Sequence, residues 1–197
     1  DFMIISVETS TSDLSLTLLN KDSVFSHISI PFKNDLSEII VPTIKIFLKD
    51  NQISFDNVSF LAVGCGPGSF TAIRSIKAIA QGISIVTKSK IYSINMFDIF
   101  MKQINLKNTH ILIFFPFGKE TVFFRLFKSN KEKFLPISEI LFGTSEKFIE
   151  YYLTICKEYK HIQLFTDKEA DFKSLKKLKK NSIKTLEINA KTLGEAC

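Results

Sequence analysis

The chain has 197 residues, of which 45% are hydrophobic, 20 are Phe and none is Trp. That length suits one large domain or two small ones, and the apolar content excludes an intrinsically disordered chain. The formal net charge of +6 permits an anionic partner such as nucleic acid without demanding one.

In chain order, "MIISVE" (3–8), "LSLTLLN" (14–20) and "SVFSHISI" (23–30) predict three strands, the last two joined by a turn around Asn20 to Asp22. "DLSEIIVPTIKIFLKDN" predicts a helix, with Asp35 and Glu38 spaced as a capping box. Strand "VSFLAVG", helix "FTAIRSIKAIAQGISIV", strand "KIYSI" and helix "NMFDIFMKQI" complete a first half, residues 1–106. Residues 107–197 repeat the order. Strands "HILIFFPF", "ETVFFRLFK" and "KFLPIS" precede helix "SEKFIEYYLTICKEY", strand "HIQLFTD", helix "ADFKSLKKLKK", strand "SIKTLEI" and a short final helix.

Each half reads βββαβαβα. A meander can continue into strands alternating with helices when the later strands run parallel and helices cover the sheet. The expected fold is therefore α/β: two tandem ribonuclease-H-like lobes of the actin and heat-shock ATPase kind, each a mixed five-stranded sheet with flanking helices. The expected domains are an N-terminal lobe with partner-binding helices and a shortened, divergent C-terminal lobe.

Between the fourth strand and its helix lies "GCGPGSF" (64–70). It lacks the GxxxxGK[ST] of a Walker loop, and Ser69 stands where a dinucleotide fingerprint needs its third glycine. What remains is a corner in which Gly66 and Gly68 permit close approach or positive φ, Pro67 stiffens the turn, and Ser69 or Thr71 caps the helix. A helix N-terminus attracts anions, so phosphate contact and a purely structural turn both stay open.

These residues carry a likeness. "GPGSFTAIR" after "LAVG", "SVETST" near the N-terminus, and the helix with "VPTI" between them resemble the TsaB (YeaZ) family over roughly Met3 to Gly82. The resemblance implies two actin-like lobes without catalysis by the chain alone. It further implies a heterodimer with a TsaD-type catalytic subunit through helices of the N-terminal lobe, a TsaE-type ATPase joining them, and threonylcarbamoyl-adenosine in tRNA as the product of the complex. The family positions are Glu8, Thr9, Ser10, Thr11, Gly66, Pro67, Gly68, Ser69, Phe70, Thr71 and Arg74. Glu8 replaces the family's usual Asp, Ala72 and Ile76 replace glycines, and "FPFGKE" replaces the polar opening of the second lobe.

A divergent actin-like kinase or ATPase is the alternative. Against it, the second-lobe loop "FFPFGKETV" offers only Gly118 and Lys119, with no carboxylate before the turn to hold a metal's waters, and no paired glycines follow Gly82. His27, His110 and His161 form no HxxxH or HExxH pair, and Cys65, Cys156 and Cys197 lack CxxC spacing. No metal, cofactor or catalytic residue is therefore expected. A reducing cytoplasm fits, since no apolar run reaches membrane-spanning length and the first residues lack a signal-peptide layout.

The helix from Asp35 carries apolar residues over a wider arc than one sheet needs, and the next helix aligns small residues four, three and four apart. The expected partner interface is Ile40, Ile44, Phe47 and Leu48 with Thr71, Ser75, Ala78 and Gly82, meeting the TsaD-type subunit or, in its absence, a second copy. Packing of these helices on each other is the plainer alternative. The lysine-rich tract "KSLKKLKKNSIK" (173–184) has an ordinary amphipathic period and no interleaved aromatic, so a solvated helix face is favoured over a tRNA contact.

Overall fold

The computed structural model describes residues 3–9, 13–20, 23–31, 36–130, 133–167, 178 and 183–197. The chain divides into two units: residues 1–99 with Ile188–Cys197, and residues 100–187. The sequence places the boundary at residue 106 and assigns everything after it to one lobe. Instead, the C-terminal segment returns to the first unit.

In the first unit, β1 (Met3–Glu8), β2 (Asp13–Asn20) and β3 (Val24–Pro31) form an antiparallel meander. β4 (Val58–Gly64) and β5 (Lys90–Ile94) add parallel strands beside β1, giving the order β3-β2-β1-β4-β5. The alternating side-chain directions of a strand give the sheet two distinct faces. Ile5, Val7, Leu14, Leu16, Leu18 and Val63 pack into one core with α1 (Leu36–Asp50) and α2 (Phe70–Thr87). Val58 is preceded by a short 3₁₀ turn, Phe55–Asn57, capped by Ser54.

The opposite face meets α5 (Ala190–Glu195). There Ser6 Oγ donates to the Ala190 carbonyl, Ser15 Oγ accepts from Ala190 N at 2.8 Å, and Asn189 caps the helix through Thr192 N at 3.0 Å. Gly194 has to be small, because a Cβ there would sit 3.0 Å from Ser6 Oγ and against Leu19.

α3 (Met96–Gln103) carries the chain from one unit into the other. In the second unit, β6 (His110–Phe117), β7 (Thr121–Ser129) and β8 (Phe134–Pro136) are antiparallel, while β10 (Ile162–Asp167) and β11 (Ile183–Leu186) run parallel to β6. Among the described residues this sheet has six strands, where five are expected. β9 (Leu141–Thr144) pairs with the start of β7, alongside the path β11-β10-β6-β7-β8. α4 (Ser145–Glu158) covers one face with Phe148 and Ile155 against Leu112, Phe114, Val122 and Phe124. The expected helix "ADFKSLKKLKK" lies outside the described residues apart from Leu178, as does Asp35 of the expected capping box. Among the described residues no helix is long and apolar enough to cross a membrane.

One part of the expected interface is corrected here. Ile40, Ile44, Phe47 and Leu48 are 0 to 3% exposed and belong to the first unit's own core. α1 rests on the sheet and on α2 at once, and two supports at different angles absorb the wide apolar arc that resembles a docking face.

Candidate functional site

The glycine corner and the end of β1 lie side by side. Glu8 ends β1 with its side chain 1% exposed, and its Oε1 accepts from the backbone N–H of Thr9 at 2.9 Å. Its carboxylate lies against the α-carbon of Gly64, the last residue of β4. Cys65 N donates to Ile94 O at 2.9 Å, and Gly66 O accepts from Met96 N at 2.8 Å, so β5 and α3 both fasten the corner. Gly66 has φ +90, a conformation that favours glycine, and a Cβ there would also press on the Ile73 side chain. Ser69, rather than Thr71, caps α2, accepting from Ala72 N at 3.4 Å. Pro67 and Gly68 are half-buried. Ser10 and Thr11 lie outside the described residues.

A carboxylate is buried beside Gly64, and the Thr9 N–H that a phosphate would need is already bonded to it. Burial pushes the Cys65 thiol up; Lys77 pulls it down, and Asp98 and Glu8 push it up further. The corresponding hairpin of the second unit holds Gly118 at φ +65 with open space around it, and Thr121 Oγ1 donates to Phe117 O across the turn. Among the described residues no three His, Cys, Asp or Glu side chains are grouped to hold a metal ion.

From this corner α2 runs outward with two unlike faces. Ala72, Ile76 and Ala80 are buried against the sheet and α1. Thr71, Ala78 and Gly82 are exposed and Ser75 is half-buried. This is the strip of small residues expected from the sequence, and a Cβ on Gly82 would meet nothing within 4 Å. The strip is flanked by large apolar residues not predicted for it: Phe70, Ile85 and Val86 are 70%, 71% and 78% exposed. Their signal was present in the sequence, since all three fall off the sheet-facing period of α2. Arg74 lies over the Phe70 ring, with its guanidinium carbon 4.9 Å from the centroid. Such a pairing holds both side chains on the exposed side of the first helical turns.

The fold and this corner define an α/β protein of two mixed sheets in which a buried acid ends β1 beside a glycine corner. The family model described as "TsaD: tRNA N6-adenosine threonylcarbamoyltransferase" matches residues 32–130, half of the chain. The protein named "tRNA threonylcarbamoyladenosine biosynthesis protein TsaB" of Buchnera aphidicola subsp. Baizongia pistaciae is 29% identical over 130 residues, 64% of this chain and 58% of the relative. The protein of that name from Escherichia coli is 32% identical over 82 residues, 42% of this chain and 35% of the relative. Among solved structures, a Pseudomonas aeruginosa protein described as similar to the peptidase YeaZ superposes with a TM-score of 0.71 at 13% identity, covering 100% of this chain and 90% of the other. A Bacteroides thetaiotaomicron protein with an actin-like ATPase fold superposes with a TM-score of 0.56 at 12% identity, covering 99% and 96%. The chain belongs to the family of that model, and the curated relatives it resembles carry the name TsaB. The alignments span about half the length of the curated relatives.

Proposed function

We propose that this chain is a non-catalytic, activating subunit in the formation of N6-threonylcarbamoyladenosine in tRNA, and that it docks the exposed face of α2 on a TsaD-type transferase. One observation carries the proposal: Thr71, Ala78 and Gly82 stand exposed between Phe70, Ile85 and Val86 on a helix already anchored by its other face. Small residues let a second helix approach closely, and the flanking apolar side chains supply the buried area. Ile40, Ile44, Phe47 and Leu48 support this face from below instead of forming it. The second-unit loop, with Gly118 and Lys119 and no carboxylate before the turn, supports a silent subunit over the kinase alternative. A TsaE-type ATPase and the tRNA enter through the complex, in the cytoplasm, and a second copy covers α2 when the transferase is absent.

Ala78→Arg puts a long cation in the middle of the strip. The variant is expected to keep the melting temperature of the parent and to lose co-purification with its own organism's TsaD-type protein. A complex that persists with Ala78→Arg would place the interface elsewhere.

A further inference from the structure

The exposed side of α2 carries charge of one sign beside its strip of small residues. Arg74, Lys77 and Gln81 follow one another three and four residues apart, and all three are exposed. They form a polar ridge next to the ridge of Thr71, Ser75, Ala78 and Gly82. α2 contains no acidic residue over its 18 positions. α1, packed beside it, holds Glu38 and Asp50 against Lys45 and Lys49 and is balanced, so the excess positive charge of this helix pair belongs to Arg74 and Lys77.

Those two cations differ from their neighbour. Lys88, just past the end of α2, donates its Nζ to Ile85 O at 3.1 Å and so serves the helix itself. Among the described residues Arg74 and Lys77 make no ion pair, and Asp98 of α3, which lies near the same Cys65 thiol as Lys77, forms none with it. Arg74 is held in place by Phe70, its guanidinium carbon 4.9 Å from the ring centroid. Stacking engages the face of a guanidinium and leaves the N–H donors in its plane for a bidentate acceptor such as a carboxylate. An arginine fixed before binding loses less freedom when it pairs.

Charge therefore ranks the occupants of α2. A second copy of this chain brings another Arg74 and Lys77 and no acid from its own α2, so like charges gather at the contact. A partner helix with carboxylates about one turn apart, beside small residues of its own, meets both cations.

We propose, resting on the α2 docking face of the proposed function, that Arg74 and Lys77 select the partner by charge: a helix of the TsaD-type protein with acidic residues at its contact, in preference to a second copy of this chain. The test measures binding of the full chain to its own organism's TsaD-type protein by surface plasmon resonance at about 50 and 500 mM salt, and self-association of the chain alone by sedimentation. The variants are Arg74→Gln, Arg74→Lys, Lys77→Gln and Ala78→Arg, with a melting curve for each. Arg74→Gln is expected to weaken the mixed complex by about 5- to 50-fold at the lower salt and to flatten its salt dependence, with Arg74→Lys and Lys77→Gln losing less. In the chain alone Arg74→Gln should act oppositely and tighten self-association, a change of sign that loss of a merely structural arginine does not produce. Arg74→Gln with the affinity and salt slope of the parent, beside an Ala78→Arg that no longer binds, would overturn selection by charge and leave the docking face standing. Equal weakening of both associations by Arg74→Gln would also overturn it, leaving Arg74 as the support of Phe70. A mixed complex that survives Ala78→Arg would overturn the docking face, and selection by charge with it.

Discussion

Glu8 and Gly64 share one space: a Cβ built on Gly64 would lie 2.8 Å from Cδ of Glu8 and 3.0 Å from its Oε1. The acid at the end of β1 thus fixes the residue allowed at the end of β4. Gly64→Ala is expected to cost about 1–3 kcal/mol by overpacking. Adding Glu8→Asp, which withdraws the carboxylate by one methylene, should recover part of that loss, with a coupling of about 0.5–3 kcal/mol in a double-mutant cycle by urea denaturation. Strict additivity would show that the two side chains do not compete.

α1 supplies a paired comparison. Ile44 is 2% exposed between the sheet and α2, whereas Ile46 is 60% exposed two residues later. Ile44→Ala should cost about 2–5 kcal/mol through lost burial and the cavity left behind. Ile46→Ala should stay within about 0.5 kcal/mol. Similar losses at both positions would mean that α1 is rotated from the orientation described.

Cys65 sits half-buried, while Cys156 and Cys197 are exposed. With burial pushing its thiol up, Cys65 should react with iodoacetamide more slowly than the other two at mild alkaline pH, as peptide mapping would show. The sign of the linkage follows. A thiol with a raised folded pKa holds its proton longer in the native state, so its contribution to stability is complete below the ordinary thiol pKa of about 8.5 and is lost as pH rises past it. Cys65→Ala should flatten the alkaline limb of a stability-versus-pH curve; an unchanged limb would assign that slope to other groups.

The docking of α5 rests on hydroxyls of the sheet. Ser15→Ala removes the acceptor of the Ala190 N–H, for an expected loss of about 1–3 kcal/mol. Hydrogen exchange should then show α5 amides opening well before those of α1. Uniform loss of protection across the first unit would instead mean that α5 and the sheet open together.

Much of this fold was legible because strand and helix periods are local. β4, β5 and β6 fall at the residues predicted for them from short apolar runs, and the small strip on α2 is a spacing that one helix displays by itself. β9 was not legible: Leu141–Thr144 has only four residues and a central glycine, and becomes a strand through its pairing with β7. The wide arc of α1 was visible, but its meaning was not, since a helix buried on two sides and a helix with one side left for a partner show the same pattern. The contact of Glu8 with Gly64 joins residues far apart in the chain, and neither residue marks the other in sequence.

The return of Ile188–Cys197 to the first unit reverses the order in which the molecule is finished. A ribosome delivers residues 3–94 first, yet Ser6, Ser15 and Leu19 then wait, uncovered by α5, until the entire second unit has been translated. Every described strand of the second unit is therefore synthesised before the helix that closes the face of the first.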